Sequence, residues 1–255
     1  MDKNTRQKLI DLTTNFYNKV ATSFSNTRNN PWEGWHKLLD YVKVELGDEV
    51  FVKQKLSVYD LAAGNLRFEE FLREQFPDVD FDFHALDNCE ALLPTDFNVS
   101  FQNYDLLTAL NSGSFNLDDI NVGQCNLVVA FGFMHHVPGI ALQKKVLDIL
   151  LSKTKSGGLI AVTFWQFMRD ERRQEKHRQK TQEAVERFSI DGLGDNDYII
   201  GWQDETDAYR YAQNFSREHI DSLIEHVKGR AHVLDQFNAD GRTRDLNHYL
   251  ILQKR

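Results

Sequence analysis

One short stretch constrains the fold more than any other part of the chain. Residues 126–134, NLVVAFGFM, are apolar apart from the first residue and Gly132. A strand without polar alternation is typical of the centre of a parallel sheet whose two faces are both covered. Crossovers between parallel strands are usually helical, so the cover has to come from helices. The stretch therefore predicts an α/β protein.

Strand-like and helix-like segments alternate along the rest of the chain. Short apolar runs predict strands, and apolar residues three or four positions apart predict helices. The predicted strands are 56–62, 81–87, 99–105, 126–134, 159–165, 231–237 and 248–254. The predicted helices are 9–24, a helix around 38–46, 65–76, 138–154 and 216–227, the last with Ser216 as its N-cap. This order predicts a Rossmann-like, doubly wound, mostly parallel seven-stranded sheet whose last strand is antiparallel, with an N-terminal helical extension.

Composition fits one domain over residues 1–255, with N-terminal helices over residues 1–50. Hydrophobic residues make up 41% of the chain, which is enough for a core. No apolar stretch approaches the roughly 20 residues of a membrane span, and the opening MDKNTRQK has no apolar signal core. Two cysteines, Cys89 and Cys125, suit a reducing compartment. We therefore expect a cytoplasmic protein without a membrane segment.

The sequence offers one candidate metal pair and one candidate surface for nucleic acid. His135 and His136 are adjacent, but no Cys, Asp or Glu cluster completes a site, so we expect no metal. The net charge is −8, so contact with nucleic acid would need a local basic surface. Residues 169–180, RDERRQEKHRQK, fit such a surface and also fit a solvated helix face crossed by ion pairs.

Three successive predicted strands end at an aspartate, namely Asp60, Asp87 and Asp105. Ligands of doubly wound sheets bind at the carboxyl ends of the strands. Three acids, with no lysine in the first loop, disfavour a phosphate-rich ligand and suit a nucleoside with a cationic or neutral tail. S-adenosylmethionine has these features. Asp60 would lie near its ammonium or order the loop, Asp87 would accept from the ribose hydroxyls, and Asp105 from the adenine amino group.

The loop after the first strand, LAAGNLRF over residues 61–68, would carry this cofactor. Gly64 is the position where the backbone would lie against the methionine portion. Asn65 is a natural N-cap for the next helix, which Leu66 would begin. Ala62 is acceptable beside the cofactor where its φ is negative.

Together these motifs resemble class I S-adenosylmethionine-dependent methyltransferases, and among them the tRNA wobble-uridine methyltransferases that esterify 5-carboxymethyluridine. Nearly the whole chain is similar, through YNKVATSFSNTRNNPW, YDLAAGNLRF, HALDNCEALL, NYDLLTAL, NLVVAFGFMHHV, SGGLIAVTFW, DYIIGWQ and RYAQNFSREHIDSLI. The chain departs from the family at two places. Ala62 and Leu66 stand where the family carries glycine, and Ala212-Gln213 replace its aromatic-histidine run.

The resemblance implies an enzyme of tRNA modification with a substrate-side insertion over residues 166–215. The implied catalytic residues are Arg210, His136 and Tyr211. The implied partners are tRNA and a small zinc-binding activator protein, as in eukaryotic members. The implied ligands of S-adenosylmethionine are Arg28, Asp60, Ala62, Gly64, Asn65, Asp87, Asn88, Asp105, Leu106 and Phe131.

The implied reaction needs little acid–base chemistry. A carboxylate acceptor is already ionised at neutral pH, so no general base is required. Catalysis would then depend on alignment and partial desolvation, with Arg210 and Arg28 holding the acceptor. Two alternatives stay open. The acidic pI of about 5.6 favours a small-molecule acceptor, and the altered glycine loop suggests a non-catalytic cofactor-binding protein.

Overall fold

The main sheet assembles in the way that the sequence predicts. A computed structural model describes residues 1–28, 30–96, 98–203 and 205–255, without the side chains of residues 171 and 206. The strands are β1 Lys55–Leu61, β2 Asp80–Asp87, β3 Ser100–Asn103, β4 Cys125–Ala130, β5 Thr154–Trp165, β6 Asp197–Trp202, β7 Glu205–Gln213, β8 Ala231–Ala239 and β9 Asn247–Lys254. Seven of them form one sheet in the order β3-β2-β1-β4-β5-β9-β8. Strands β1 to β5 are parallel, and β9 runs antiparallel between β5 and β8, which confirms the predicted doubly wound, Rossmann-like fold.

Helices cover both faces of the sheet. They are α1 Lys3–Asn26, α2 Glu33–Glu45, α3 Arg67–Gln75, α4 Leu106–Ser112, α5 Ile140–Ser152, α6 Glu171–Phe188 and α7 Arg217–Val227. Apolar side chains of α2 and α3 pack on one face, and those of α4, α5 and α7 pack on the other. The Ser216 side chain accepts a hydrogen bond from the His219 backbone N–H, which confirms Ser216 as the N-cap of α7.

Strand β4 is the buried centre that its composition predicts. All of its residues are buried; Leu127 and Val129 face the α2 and α3 layer, and Val128 faces the opposite layer. The strand ends at Ala130 and not at residue 134 as predicted. The reason is a turn at Gly132, whose φ of 66° is incompatible with an extended strand. This turn brings His135 and His136 to the carboxyl edge of the sheet.

Residues 166–215 contain a helix and a hairpin that lie outside the main sheet. Strands β6 and β7 pair antiparallel as a separate two-stranded sheet, which the sequence pattern did not predict. Apolar side chains of α1, including Leu9, Phe16 and Val20, pack against this hairpin and against α6. The N-terminal helix is therefore an integral part of the fold at this end of the molecule.

Helix α6 carries the basic segment found in the sequence, and much of its charge is paired. The pairs are Arg172 and Arg173 with Asp170, Lys180 with Glu183, and Arg187 with Asp207. These side chains are largely solvated, so the helix resembles the ion-paired, solvated face more than a continuous basic surface. In the part of the chain that the structure describes, no helix is long and apolar enough to cross a membrane.

Candidate functional site

A cavity of about 650 Å³ lies at the carboxyl ends of β1, β2 and β4. Its volume is in the usual range for small-molecule sites. Every residue that the resemblance implies for cofactor binding lines this cavity, and so do Arg210 and His136. Tyr211 is the exception, because it is not among the residues that line the cavity. The residues implied for the cofactor that line the cavity are Arg28, Asp60, Ala62, Gly64, Asn65, Asp87, Asn88, Asp105, Leu106 and Phe131.

The loop after β1 has a different backbone from the one predicted. Ala62 has a φ of 66° and Leu66 one of 57°, close to the 59° of Gly64. The expectation of a negative φ at Ala62 is therefore wrong. The left-handed turn at Leu66 also makes that residue the N-cap of α3, so the prediction of Asn65 as the cap is wrong. The Asn65 side-chain amide instead donates to the backbone carbonyl of Arg28 at 3.3 Å.

Hydrogen bonds to the end of β2 hold this loop in place. The backbone N–H groups of Ala62 and Ala63 donate to the Leu86 carbonyl at 2.7 and 3.2 Å. Asp87 Oδ2 accepts from the Gly64 N–H at 2.9 Å, and Asp87 Oδ1 accepts from the Cys89 N–H at the same distance. Asp87 is therefore fixed on the cavity wall directly behind Gly64.

Two other polar residues that line the cavity, Asp105 and Asn88, are also anchored to neighbouring elements. Asp105 caps α4, with Oδ1 accepting from the Thr108 N–H at 3.0 Å. Asn88 donates through Nδ2 to Thr14 Oγ1 on α1 at 3.1 Å. The acids and amides predicted from separate strand ends thus lie around one cavity in fixed orientations.

Two carboxyls beneath the loop have buried oxygens that find no hydrogen-bond partner among the described residues. Asp60 is 4% exposed, and its Oδ1 has no hydrogen bond. Glu69 on α3 is fully buried, and neither of its carboxyl oxygens has a partner. Burial raises the pKa of Glu69 to about 7. Burial and then the nearby Glu69 raise the pKa of Asp60 well above its ordinary value. A cationic group in the cavity would be stabilised next to Asp60.

Arg210 lines the same cavity and lies in a group of aromatic rings. It is 5% exposed, and its guanidinium lies 4.6 Å from the Phe16 ring centroid. Its Nη1 donates to Tyr17 Oη at 3.2 Å, and its buried Nε has no partner in the part of the chain that the structure describes. Of the carboxylates that the structure describes, none forms an ion pair with it. A buried charge normally has a counter-charge, so this arrangement favours an anionic ligand. The further rings within 6 Å are those of Tyr17, Phe24, Trp165 and Trp202.

A short hydrogen-bond chain orients Arg210. His136 Nδ1 lies 2.6 Å from the Tyr211 backbone carbonyl, and Nε2 lies 2.9 Å from Tyr17 Oη. A carbonyl can only accept, so the proton is on Nδ1 and Tyr17 donates to Nε2. Tyr17 Oη then accepts from Arg210. Burial, and then the charge of Arg210, lower the pKa of His136 to about 3, so the ring is neutral at physiological pH.

The side chain of Tyr211 belongs to the core and not to the cavity. It is fully buried, and its hydroxyl donates to Asp197 at 2.6 Å. Strand alternation explains this, because Arg210 and Tyr211 are consecutive residues of β7 and point to opposite faces. The predicted catalytic role of the Tyr211 side chain therefore needs correction, since only its backbone carbonyl reaches the hydrogen-bond chain.

Two further arginines line the cavity. The Arg28 guanidinium lies 4.9 Å from the Phe24 centroid and 5.6 Å from that of Trp202, two rings that it shares with Arg210. Burial and the charge of Arg210 lower the pKa of Arg28. Arg67, the first residue of α3, lies beside the loop after β1.

Sequence reasoning did not single out Tyr17 or Arg67. Tyr17 follows Phe16 in a helical apolar stripe, and nothing local shows that its hydroxyl meets β7. Arg67 lies near the end of the segment LAAGNLRF, residues 61–68, and this position is its only signal in the sequence. Among the described residues there is no cluster of three or more His, Cys, Asp or Glu side chains that could hold a metal ion.

Comparison with known proteins supports the fold. No family model matches the chain, and no curated protein matches it. A Clostridium acetobutylicum S-adenosylmethionine-dependent methyltransferase superposes with a TM-score of 0.54 at 13% identity, covering 93% of this chain and 98% of its own. A Methanosarcina mazei S-adenosylmethionine-dependent methyltransferase gives 0.54 at 12% identity, covering 80% and 94%. These similarities show the fold, which is the Rossmann-like fold found in these S-adenosylmethionine-dependent methyltransferases.

A third similar structure was solved with a second protein. It comes from the complex between the Haloferax volcanii Trm112 methyltransferase activator and its methyltransferase partner. The TM-score is 0.51 at 14% identity, with 93% of this chain and 97% of the other covered. At this identity the similarity extends to the fold and no further.

Proposed function

We propose that this chain transfers a methyl group from S-adenosylmethionine to a carboxylate and so forms a methyl ester. The observation that carries the proposal is the buried Arg210 guanidinium, which no described carboxylate neutralises. Arg28 adds a second positive charge, because its guanidinium lies over the Phe24 and Trp202 rings that also surround Arg210. Guanidinium groups bind carboxylates in bidentate geometry, so an acceptor carboxylate would match this end of the cavity.

The part of the cavity lined by Asp60, Asp87 and Asp105 fits the cofactor. Asp87 and Asp105 use some of their lone pairs within the protein, and a carboxylate has enough left to accept from ribose hydroxyls or an amino group. An ammonium group beside Asp60, which lines the cavity, would favour the ionised form of its carboxyl and would be stabilised by it. When bound, S-adenosylmethionine supplies an electrophilic methyl group on a sulfonium sulfur.

The protein's own contribution to this reaction would be positioning. A carboxylate is ionised at neutral pH and needs no base. His136 is neutral, and both of its ring nitrogens are used, so we assign it the task of orienting Tyr17 and, through it, Arg210. Tyr211 would contribute only its carbonyl. The rings around Arg210 would exclude water from the acceptor carboxylate, which makes that carboxylate more reactive.

For the acceptor, we propose the 5-carboxymethyl group of a tRNA wobble uridine. The support is the sequence resemblance, and a pyrimidine ring suits a cavity with aromatic walls. The protein would act in the cytoplasm, and a small activator protein would be a further partner. A similar fold occurs in the partner of the Trm112 activator.

A small carboxylic acid is the second candidate acceptor. Two observations favour it. The net charge of the chain is −8, and basic side chains of α6 are paired with nearby acids of the same chain. Both reduce the attraction of this surface for a phosphate backbone.

Transfer of labelled methyl from S-adenosylmethionine tests the proposal. The acceptors are tRNA that carries 5-carboxymethyluridine, with and without an activator protein, and a panel of small carboxylic acids. We expect label that mild alkali releases as methanol, because a methyl ester hydrolyses whereas an N-methyl group does not. Arg210→Gln should lower transfer at least 100-fold. Arg187→Gln, which removes an exposed charge from α6, should change it less than twofold. Alkali-stable label would contradict the carboxylate proposal, and cofactor binding without any transfer would favour the non-catalytic alternative.

A further inference from the structure

Arg67 has the features of a second anion-binding group in the same cavity. Its guanidinium lies 5.1 Å from the Trp32 ring centroid and 5.2 Å from that of Trp35. One nitrogen, Nη1, donates to the Asn30 carbonyl at 3.1 Å. Within the described residues, no carboxylate forms an ion pair with Arg67. Burial and the charge of Arg28 lower its pKa to about 10, so it is still cationic at neutral pH.

Asp240 is the acid whose charge acts most strongly on Arg67, but its carboxylate is already hydrogen-bonded to other groups. Asp240 lines the cavity and its charge acts on Arg67, but its oxygens accept from the Gly34 N–H, the Asn247 side chain and the Tyr249 hydroxyl. These bonds tie the β8–β9 loop to α2 and fix the carboxylate. Asp240 therefore cannot turn to pair with Arg67 without breaking buried hydrogen bonds.

The three arginines divide into two groups by their surroundings. Arg28 and Arg210 share the Phe24 and Trp202 rings. Arg67 lies over Trp32 and Trp35, directly after the loop at the end of β1. Trp32 also reaches the turn after β4, where a Cβ added to Gly132 would lie 3.3 Å from its ring. Arg67 thus lies where the ends of β1 and β4 meet, which is the side of the cavity that holds Gly64.

We propose that Arg67 binds the carboxylate of the cofactor's methionine portion, which leaves Arg28 and Arg210 for the acceptor. This inference rests on the proposed function, because it needs S-adenosylmethionine in the cavity. A complex of cofactor and acid acceptor contains two carboxylates. Separate cationic groups would keep these two negative charges apart while neutralising each of them. The sequence resemblance implies that Arg28 faces a carboxylate of either the cofactor or the acceptor; the inference gives Arg28 to the acceptor and Arg67 to the cofactor.

A pair of ligands that differ only in the carboxylate tests this inference by titration calorimetry. The first is S-adenosylhomocysteine, and the second is its decarboxylated analogue, S-adenosyl-3-thiopropylamine. Arg67→Gln should weaken binding of S-adenosylhomocysteine about 10- to 100-fold and change binding of the analogue less than twofold. Arg73→Gln is the matched control, because it removes an exposed arginine from the same helix; it should change neither affinity.

Three results would overturn the inference. If Arg67→Gln weakens both ligands equally, Arg67 shapes the loop and does not bind the carboxylate. If Arg28→Gln gives the carboxylate-selective loss and Arg67→Gln does not, the role belongs to Arg28. If the wild-type protein binds neither ligand, the proposed function fails and this inference fails with it. Should Arg67→Gln melt before the titration temperature, Arg67→Lys is used, and a selective loss of about threefold or more supports the inference.

Discussion

Ala62 and Leu66 hold left-handed backbone conformations at positions where glycine would be the least strained residue. An L-residue in this region costs roughly 1–2 kcal/mol relative to glycine. Leu66 has a compensation, because its side chain is only 4% exposed and its burial is worth about 1.5–3 kcal/mol. Ala62 has a single methyl group and is only partly buried, so little offsets its strain.

Ala62→Gly should therefore stabilise the protein. Relief of the strain outweighs the larger entropy of the unfolded glycine chain, which costs about 0.4–1 kcal/mol, so we expect a net gain of about 0.5–1 kcal/mol in unfolding free energy. Ala63→Gly is the matched control. Its φ is not in the left-handed region, so the same change should destabilise by about 0.5–1 kcal/mol. Urea unfolding measures the unfolding free energy of both variants. A change of the same sign in both would contradict the interpretation.

At the scale of elements, Tyr17 joins three parts of the chain that are distant in sequence. It lies on α1, donates to His136 in the turn after β4, and accepts from Arg210 on β7. Its ring also packs edge-on against Phe16 and Phe24. The N-terminal helix thus helps to set the orientation of the guanidinium proposed to hold the acceptor.

Tyr17→Phe keeps the ring and removes both hydrogen bonds. It leaves His136 Nε2 and Arg210 Nη1 unpaired in a buried site, so the unfolding free energy should fall by about 1–3 kcal/mol. Tyr41→Phe removes a partly buried hydroxyl that bonds Asp235 outside the cavity, and it should cost no more than about 1 kcal/mol. Thermal unfolding compares the two, and methyl transfer should fall only in Tyr17→Phe. Equal losses of stability and activity in both variants would argue against the hydrogen-bond chain.

The sequence predicted the elements whose signal is local. Strands β1 and β2 and the cap of α7 follow from short apolar runs and from a serine before a helical stripe. The hairpin of β6 and β7 is not predicted, because the apolar side chains of both strands pack against α1, and a local sequence pattern does not show such a distant contact. The backbone of residues 62–66 was also mispredicted, since Ala62 and Leu66 are residue types that rarely adopt a positive φ.

In the candidate site too, features with a local sequence signal could be predicted and features that depend on distant contacts could not. The acids at the strand ends could be predicted, because parallel strands bring their carboxyl ends to one edge. The aromatic surroundings of Arg210 could not be predicted, because the rings that surround its guanidinium come from three elements distant in sequence, α1, β5 and β6. The alternation that directs Tyr211 away from the cavity became clear only once β7 was known to be a strand.

At the scale of the whole molecule, buried titratable groups act on stability in two opposed ways. Burial lowers the pKa of several histidines below 6.5, to about 3 for His136 and about 4 for His177 and His248. Below pH 6.5 the unfolded chain binds these protons and the native chain does not, so acid destabilises the fold. His135 and His219 are shifted in the same direction.

The buried carboxyls act in the opposite sense. Burial raises the pKa values of Asp60, Glu69 and Asp87, so the native chain keeps protons that the unfolded chain loses. Stability from these groups falls as pH rises from about 4.5, and for Glu69 it levels off above about pH 7. As the pH rises above 6.5, the histidines of the unfolded chain lose their remaining protons and the buried carboxyls dominate. Below pH 6.5 the more numerous histidines outweigh the carboxyls.

We therefore expect the melting temperature of the ligand-free protein to peak near pH 6.5 and to fall towards both pH 5 and pH 8. Glu69→Gln removes a titrating group from the alkaline side, so the fall between pH 6.5 and pH 8 should become smaller, while the fall towards pH 5 persists. Glu70→Gln changes the exposed neighbouring residue on α3 and should leave the profile as in the wild type. Calorimetric melting at constant ionic strength measures all three proteins. A melting temperature that rises steadily to pH 8, or an alkaline fall of unchanged size in Glu69→Gln, would show that the buried carboxyls do not control stability in this range.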